Sequence, residues 1–185
     1  MKKICLLIIK LLNYQLDVVN LPKEKKYILV FAPHTSWTDF VVGKIALTAM
    51  GVKTTFLIKK ELFFFPFGYY LRYIGGYPVD RKRTQKLTDI LAEYIKEKEE
   101  IALLVSPEGT RRKVNVWKRG FYFIAQKADV PIALAYLDYR YRKGGIGPVF
   151  KLSGNYEADL QEIQQFYKGM RGRRKGCFNL EDAEN

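Results

Sequence analysis

The chain has 185 residues, 48% of them hydrophobic and 28% charged. Those proportions fit one packed domain and exclude a disordered or collagen-like chain, and two cysteines exclude a disulfide framework and suit a reducing compartment. Lys and Arg number 32 against 19 Asp and Glu, so the net charge of +13 asks for an anionic partner: nucleic acid, an anionic membrane or an acidic protein.

The first apolar stretch, Ile4 to Leu12, is interrupted by Lys10. It is too short for a spanning helix, which needs roughly 20 apolar residues. No small-residue cleavage site follows it, so a signal peptide is not expected. Lysines 2, 3 and 10 flank it, which suits an interfacial helix; a helix packed on the core is the alternative.

Tyr27–Ala32 reads as a buried strand ending at Pro33. Residues Asp39 to Met50 read as a helix stopped by Gly51, and Lys53–Lys59 as a strand. An aromatic segment spans Glu61 to Ile74, and Tyr77–Asp80 reads as another short strand. Thr84 to Glu99 is an amphipathic helix with Leu87, Ile90, Leu91, Tyr94 and Ile95 on one face. Further along, Ile101–Ser106 is a strand, Gly120–Ala128 a helix, Pro131–Tyr139 a strand, Val149–Ser153 a last strand, and Glu157 to about Lys168 a helix. Lys168 to Gly176, with five basic residues and no acid, reads as a mobile basic patch. Alternating strands and helices, several strands apolar throughout, predict an α/β domain with a mostly parallel central sheet flanked by helices.

In such sheets the chemistry sits where strands end and helices begin. The loop Pro33-His34-Thr35-Ser36-Trp37-Thr38-Asp39 follows the first strand and carries the sole histidine. With His34 in the loop, the Asp39 carboxylate can hold one imidazole nitrogen and leave the other as a base. Ser36 and Asp39 also match a helix-capping pair, so Asp39 has a second, structural reading. No Gly-x-Ser-x-Gly supplies a nucleophile. The loop Ser106-Pro107-Glu108-Gly109-Thr110-Arg111-Arg112 follows another buried strand; it offers a glycine for close approach, a hydroxyl and a guanidinium suited to phosphate. Gly75-Gly76-Tyr77-Pro78-Val79-Asp80-Arg81 is a glycine turn into a strand.

Together, His-x4-Asp, Gly-x-x-x-Asp-Arg and Pro-Glu-Gly-Thr-Arg, in this order, resemble the glycerolipid acyltransferase family, typified by lysophosphatidic acid acyltransferases. The resemblance runs from about Ala32 to Ala135 and includes the family's Lys-x-Gly, here Lys118-Arg119-Gly120. It implies that His34 is the general base that takes the acceptor hydroxyl's proton, and that Asp39 orients it. Base assistance of this kind is typically worth about 10²–10⁴-fold. It implies an acceptor site built from Arg81, Glu108, Gly109, Thr110, Arg111 and Lys118. Arg81 and Arg111 would clamp a phosphate, and Glu108 would bind a glycerol hydroxyl or hold an arginine. The fourth motif departs from the family: Leu134 stands where a second proline is usual, and in the second motif Pro78 replaces a large apolar residue.

The implied reaction moves a fatty acyl group from acyl-coenzyme A or acyl carrier protein to a lysolipid hydroxyl, with 1-acyl-glycerol-3-phosphate the default acceptor and a lyso-aminolipid the alternative. No cofactor is implied beyond the acyl donor, and one histidine with two distant cysteines makes no zinc site. Residues 1–20 would be the interfacial helix, 21–170 the acyltransferase domain and 171–185 a basic then acidic tail. The aromatic segment would line an acyl groove, dip into the bilayer or fill the core. Lys23, Lys25, Lys26, Lys59, Lys60 and the tail are candidates to meet an anionic leaflet, each lysine adding about 1 kcal/mol near the surface. The expected location is peripheral, on the cytoplasmic face of the inner membrane. A non-catalytic binder of nucleic acid or membrane is the other class, but no nucleic-acid motif appears and nucleic acid is not expected as a partner.

Overall fold

The computed structural model describes residues 1–17, 21–80 and 84–182. Seven strands form one sheet between two helical layers. In chain order the elements are α1 (Lys2–Leu11), β1 (Gln15–Asp17), β2 (Lys26–Ala32), α2 (Trp37–Met50), β3 (Thr54–Lys59), a 3-10 turn (Lys60–Leu62), α3 (Phe67–Tyr73), β4 (Gly76–Val79), α4 (Thr84–Glu97), β5 (Ile101–Val105), α5 (Gly120–Ala128), β6 (Ile132–Asp138), β7 (Lys143–Phe150) and α6 (Tyr156–Tyr167). The sheet order is β1-β7-β6-β2-β5-β3-β4, and β6–β7 is its one antiparallel pair. The mostly parallel α/β sheet expected from the sequence is present.

The central strands β2, β5 and β6 are apolar except at their ends, Lys26 and Asp138, because both faces are covered. Side chains alternate by face. Ile28, Val30, Ile132 and Leu134 enter the core under α4, α5 and α6, with Leu91, Ile95, Phe121, Ile163 and Tyr167. Leu29, Phe31, Ala133 and Leu137 enter the opposite core with Leu47 and Met50 of α2. The Tyr167 hydroxyl donates to the carbonyls of Val30 (2.8 Å) and Ala135 (3.1 Å), tying β2 to β6 from the first core. On α4, Ile90 falls off the predicted face and is 49% exposed; Leu91, Ala92 and Ile95 carry the burial.

Two expectations are corrected. The last strand is Lys143–Phe150, not Val149–Ser153. Its sequence, KGGIGPVF, reads as turn because glycine and proline suit turns, yet the glycines serve close packing. A Cβ at Gly145 would sit 2.5 Å from the Asp17 carbonyl oxygen of β1. The segment after α6 is also no loose basic patch. Phe178 is 1% exposed, packed near Trp117, and Trp117 Nε1 donates to Asn179 Oδ1 at 3.2 Å. An aromatic residue beyond the basic run anchors it.

The aromatic segment is neither core nor groove lining in the main. Phe65, Tyr69 and Tyr73 are 82%, 71% and 76% exposed. α1 packs on α2 and buries Ile9, while Ile4, Leu7 and Leu11 face outward. No helix among the described residues is long and apolar enough to cross a membrane.

Candidate active site

Parallel pairing of β2 with β5 and of β2 with β6 brings three strand ends to one edge. The residues that follow these strands are His34, Ser106 and Tyr139. A cleft of about 520 Å³ opens there, lined on its apolar side by Phe31, Phe40, Phe56, Leu57 and Leu104, with His34, Lys59, Ser106, Gly109, Thr110 and Arg111 supplying the polar groups. This volume is within the range of small-molecule sites.

The His34 loop is built by its own capping. Ser36 caps α2, its hydroxyl accepting from Thr38 N–H at 3.3 Å. Asp39 completes the reciprocal box, and its Oδ2 accepts from the backbone N–H groups of Thr35 and Ser36, both at 2.6 Å. The helix therefore begins at Trp37, two residues earlier than expected. The same Oδ2 lies 3.8 Å from His34 Nδ1, an ion-pair distance rather than a hydrogen bond. The capping reading of Asp39 is realised, and the same carboxylate lies beside the imidazole without hydrogen-bonding to it. Its second oxygen, Oδ1, accepts from the Tyr139 hydroxyl at 2.8 Å.

His34 Nδ1 is buried without a hydrogen-bond partner among the described residues. Burial holds the imidazole below its ordinary basicity; the Asp39 charge pulls it up and the Arg111 charge pushes it down. The ring is therefore neutral near pH 7 and able to accept a proton. Glu108 is 1% exposed, and its Oε1 accepts the His34 backbone N–H at 2.7 Å. Burial pushes its carboxyl up to about 8, that N–H lowers it and Asp39 raises it. Glu108 thus has a partner the sequence did not reveal, the backbone of the histidine itself.

Gly109 has φ 63°, in the left-handed region that favours glycine, and turns the chain so that Thr110 and Arg111 face the cleft. Lys118 lies against this turn: its backbone N–H donates to the Pro107 carbonyl at 2.8 Å, and its side chain packs where a Gly109 Cβ would be. Lys118 is not among the residues lining the cleft. Arg81 lies outside the described residues. Thr35, Ser106 and Tyr139 are site residues that motif reading missed. Ser106 presents a buried hydroxyl with no partner among the described residues. The signal that could have found Ser106 and Tyr139 is position alone, since each stands at the carboxyl end of a predicted strand. Among the described residues, no three His, Cys, Asp or Glu gather as metal ligands would.

Known proteins resemble this chain in sequence and in fold. A curated 1-acyl-sn-glycerol-3-phosphate acyltransferase from Streptococcus pneumoniae is 33% identical over 111 residues, covering 60% of this chain; the chain spans about 40% of that protein's length. A solved structure, the 1-acyl-sn-glycerophosphate (LPA) acyltransferase PlsC from Thermotoga maritima, superimposes with a TM-score of 0.66 and 22% identity, over 89% of this chain and 74% of that one, and shares its fold. The family model Acyltransferase matches residues 16–136, from β1 through β6, and the chain belongs to the acyltransferase family.

Proposed function

We propose that the protein is a lysolipid O-acyltransferase that takes its acyl group from a thioester, acyl-coenzyme A or acyl carrier protein, and that 1-acyl-sn-glycerol-3-phosphate is its acceptor. One observation carries this reading: the chain's sole histidine lines a cleft of mixed apolar and polar character, its buried ring nitrogen 3.8 Å from the buried Asp39 carboxylate, with Arg111 lining the same cleft. The names of the two relatives support the choice of acceptor.

In the proposed reaction His34 Nε2 takes the proton of the acceptor hydroxyl as the oxygen attacks the thioester carbonyl. Asp39 stabilises the imidazolium that results. The carbon–sulfur bond breaks, and the imidazolium returns its proton to the departing thiolate. No acyl-enzyme forms. Phe31, Phe40, Phe56, Leu57 and Leu104 would receive apolar chain. Arg111, together with Arg81, would hold the acceptor phosphate, with Thr110 and the Gly109 backbone beside it.

We place the enzyme on the cytoplasmic face of the inner membrane. The outward Ile4, Leu7 and Leu11 of α1, the exposed rings around α3 and the +13 charge support an interfacial position.

The test is transfer of a labelled acyl group from each thioester to a panel of lysophosphatidate and lyso-aminolipids, by the wild type and His34→Ala. Product with lysophosphatidate that requires His34 is the expected result. Product with lyso-aminolipids alone would change the acceptor, and transfer that survives His34→Ala would remove the base.

A further inference from the structure

The family match ends at Tyr136. Just beyond it the chain makes a second set of contacts with the His34 loop, and these converge on one side chain. Tyr139 donates its hydroxyl to Asp39 Oδ1 at 2.8 Å. Its backbone N–H donates to the Arg171 carbonyl at 2.9 Å, and the Arg173 guanidinium lies 5.9 Å over its ring. Tyr14 meets the ring edge-on at 5.9 Å.

The segment carrying Arg171 and Arg173 also touches the loop directly. Arg174 N–H donates to the Thr35 hydroxyl at 3.1 Å. A methyl group at Gly172 would overlap Thr35 Cγ2 and lie 2.7 Å from its Oγ1. Thr35 is fully buried, and its own N–H is one of the two that hold Asp39 Oδ2.

We propose that Tyr139 is a positioning residue for the His34–Asp39 pair, clamped in place by the strap at residues 171–174. The proposal rests on the acyltransferase reading above only for its kinetic consequence. Asp39 is held at both oxygens: the backbone fixes Oδ2 toward the imidazole, and the tyrosine occupies Oδ1. A carboxylate held in this way neither rotates away from His34 nor presents its full charge to it, because a donated hydrogen bond disperses that charge.

Among the described residues, the groups that face the pair are few. Asp39 comes from α2, Glu108 and Arg111 from the loop after β5, and Tyr139 from the end of β6. Arg173 reaches Tyr139 from the strap and Tyr14 from the segment before β1. Burial and its bond to Asp39 hold the Tyr139 phenol above its ordinary value, so it stays a donor throughout the working range of pH. Removing the hydroxyl leaves Asp39 with an unshared charge, which favours the imidazolium.

The direct test uses the sole histidine, whose ring resonance needs no assignment. Its titration is followed by NMR in the wild type, Tyr139→Phe and Gly172→Val. The phenylalanine keeps the ring contacts and loses only the donor. The expected result is a His34 midpoint higher by roughly 0.5–1 unit in Tyr139→Phe. The acid limb of kcat/KM should move the same way, and kcat should fall about tenfold with KM for either substrate unchanged. Gly172→Val should move the midpoint as well, since it pushes the strap off Thr35. A wild-type midpoint in a folded Tyr139→Phe protein, or a midpoint that falls, overturns the proposal. Wild-type protein inactive on every lysolipid would defeat the acyltransferase reading and leave the titration to decide the role of Tyr139.

Discussion

Two loops at the same end of the sheet are built in opposite ways. The loop after β2, holding His34 and Asp39, turns its polar groups inward: Thr35, Ser36 and Asp39 are buried, the carboxylate takes donors from backbone and tyrosine, and Trp37 faces out. The loop after β5 buries Glu108 and then turns outward, so that Thr110, Arg111, Arg112 and Lys118 are exposed. A base must meet its proton at a fixed distance, which needs a locked setting. A charge that draws in an anion acts over several ångströms and works from the surface. On the proposed reaction, the difference between the loops would separate turnover from acceptor binding.

Substitution can break that separation. His34→Ala should lower kcat by about 10²–10⁴-fold while the melting temperature and circular dichroism hold; a loss below tenfold would put the chemistry elsewhere. Asp39→Ala should cost a comparable part of kcat and also stability, because the cap goes with it. Loss of a cap costs about 1 kcal/mol, or about 2–4 °C in Tm for a chain of this size. A variant with lost turnover and unchanged Tm would separate the two roles of that carboxylate.

Glu108 sharpens the comparison through pH. Its buried carboxyl is pushed up from 4.5 to about 8, so the folded protein holds that proton more tightly than the unfolded chain. Stability should then fall as pH rises from about 4.5 to about 8. Thermal melts of Glu108→Gln, which cannot titrate, should lose that slope and sit above the wild type at pH 8.

Arg111→Ala addresses the outer loop. It should raise KM for a phosphorylated acceptor about tenfold and leave the donor KM and the Tm unchanged, since a single charged contact is worth about 1.5–3 kcal/mol at most. Equal effects on both substrates would mean that the guanidinium serves the cleft as a whole. The smallest effect is expected from Phe65→Ser with Tyr69→Ser: weaker co-sedimentation with anionic vesicles, unchanged Tm and unchanged activity on detergent-dispersed substrate. Wild-type vesicle binding would take the α3 region out of the membrane contact.

What the sequence made legible follows the same division. The buried strands announced themselves because continuous apolar runs such as YILVFA have few other homes. The motifs placed His34, Asp39 and Arg111 at one strand-end edge, and they are there. β7 stayed hidden because its glycines serve contact with β1 and α6, which no local pattern records. Glu108 bonding to the backbone of His34 joins positions 74 residues apart, and Tyr139 bonding to Asp39 joins positions 100 apart. Spacing along the chain carries no trace of such pairings. The segment after α6 was misread because its charge was weighed and Phe178 was not.

Phe178 also sets an order of events. A chain leaves the ribosome amino end first, and its domain can begin to fold as it emerges. His34, Asp39 and Arg111 all precede Phe178, which lies four residues beyond Arg174, whose backbone N–H meets the Thr35 hydroxyl. A nascent chain whose last emerged element is α6 would have its sheet and its histidine loop, with residues 171–174, which back that loop, still to emerge. On the proposed reaction, the backing of the Asp39 setting would then be complete only once the Phe178 ring docks beside Trp117.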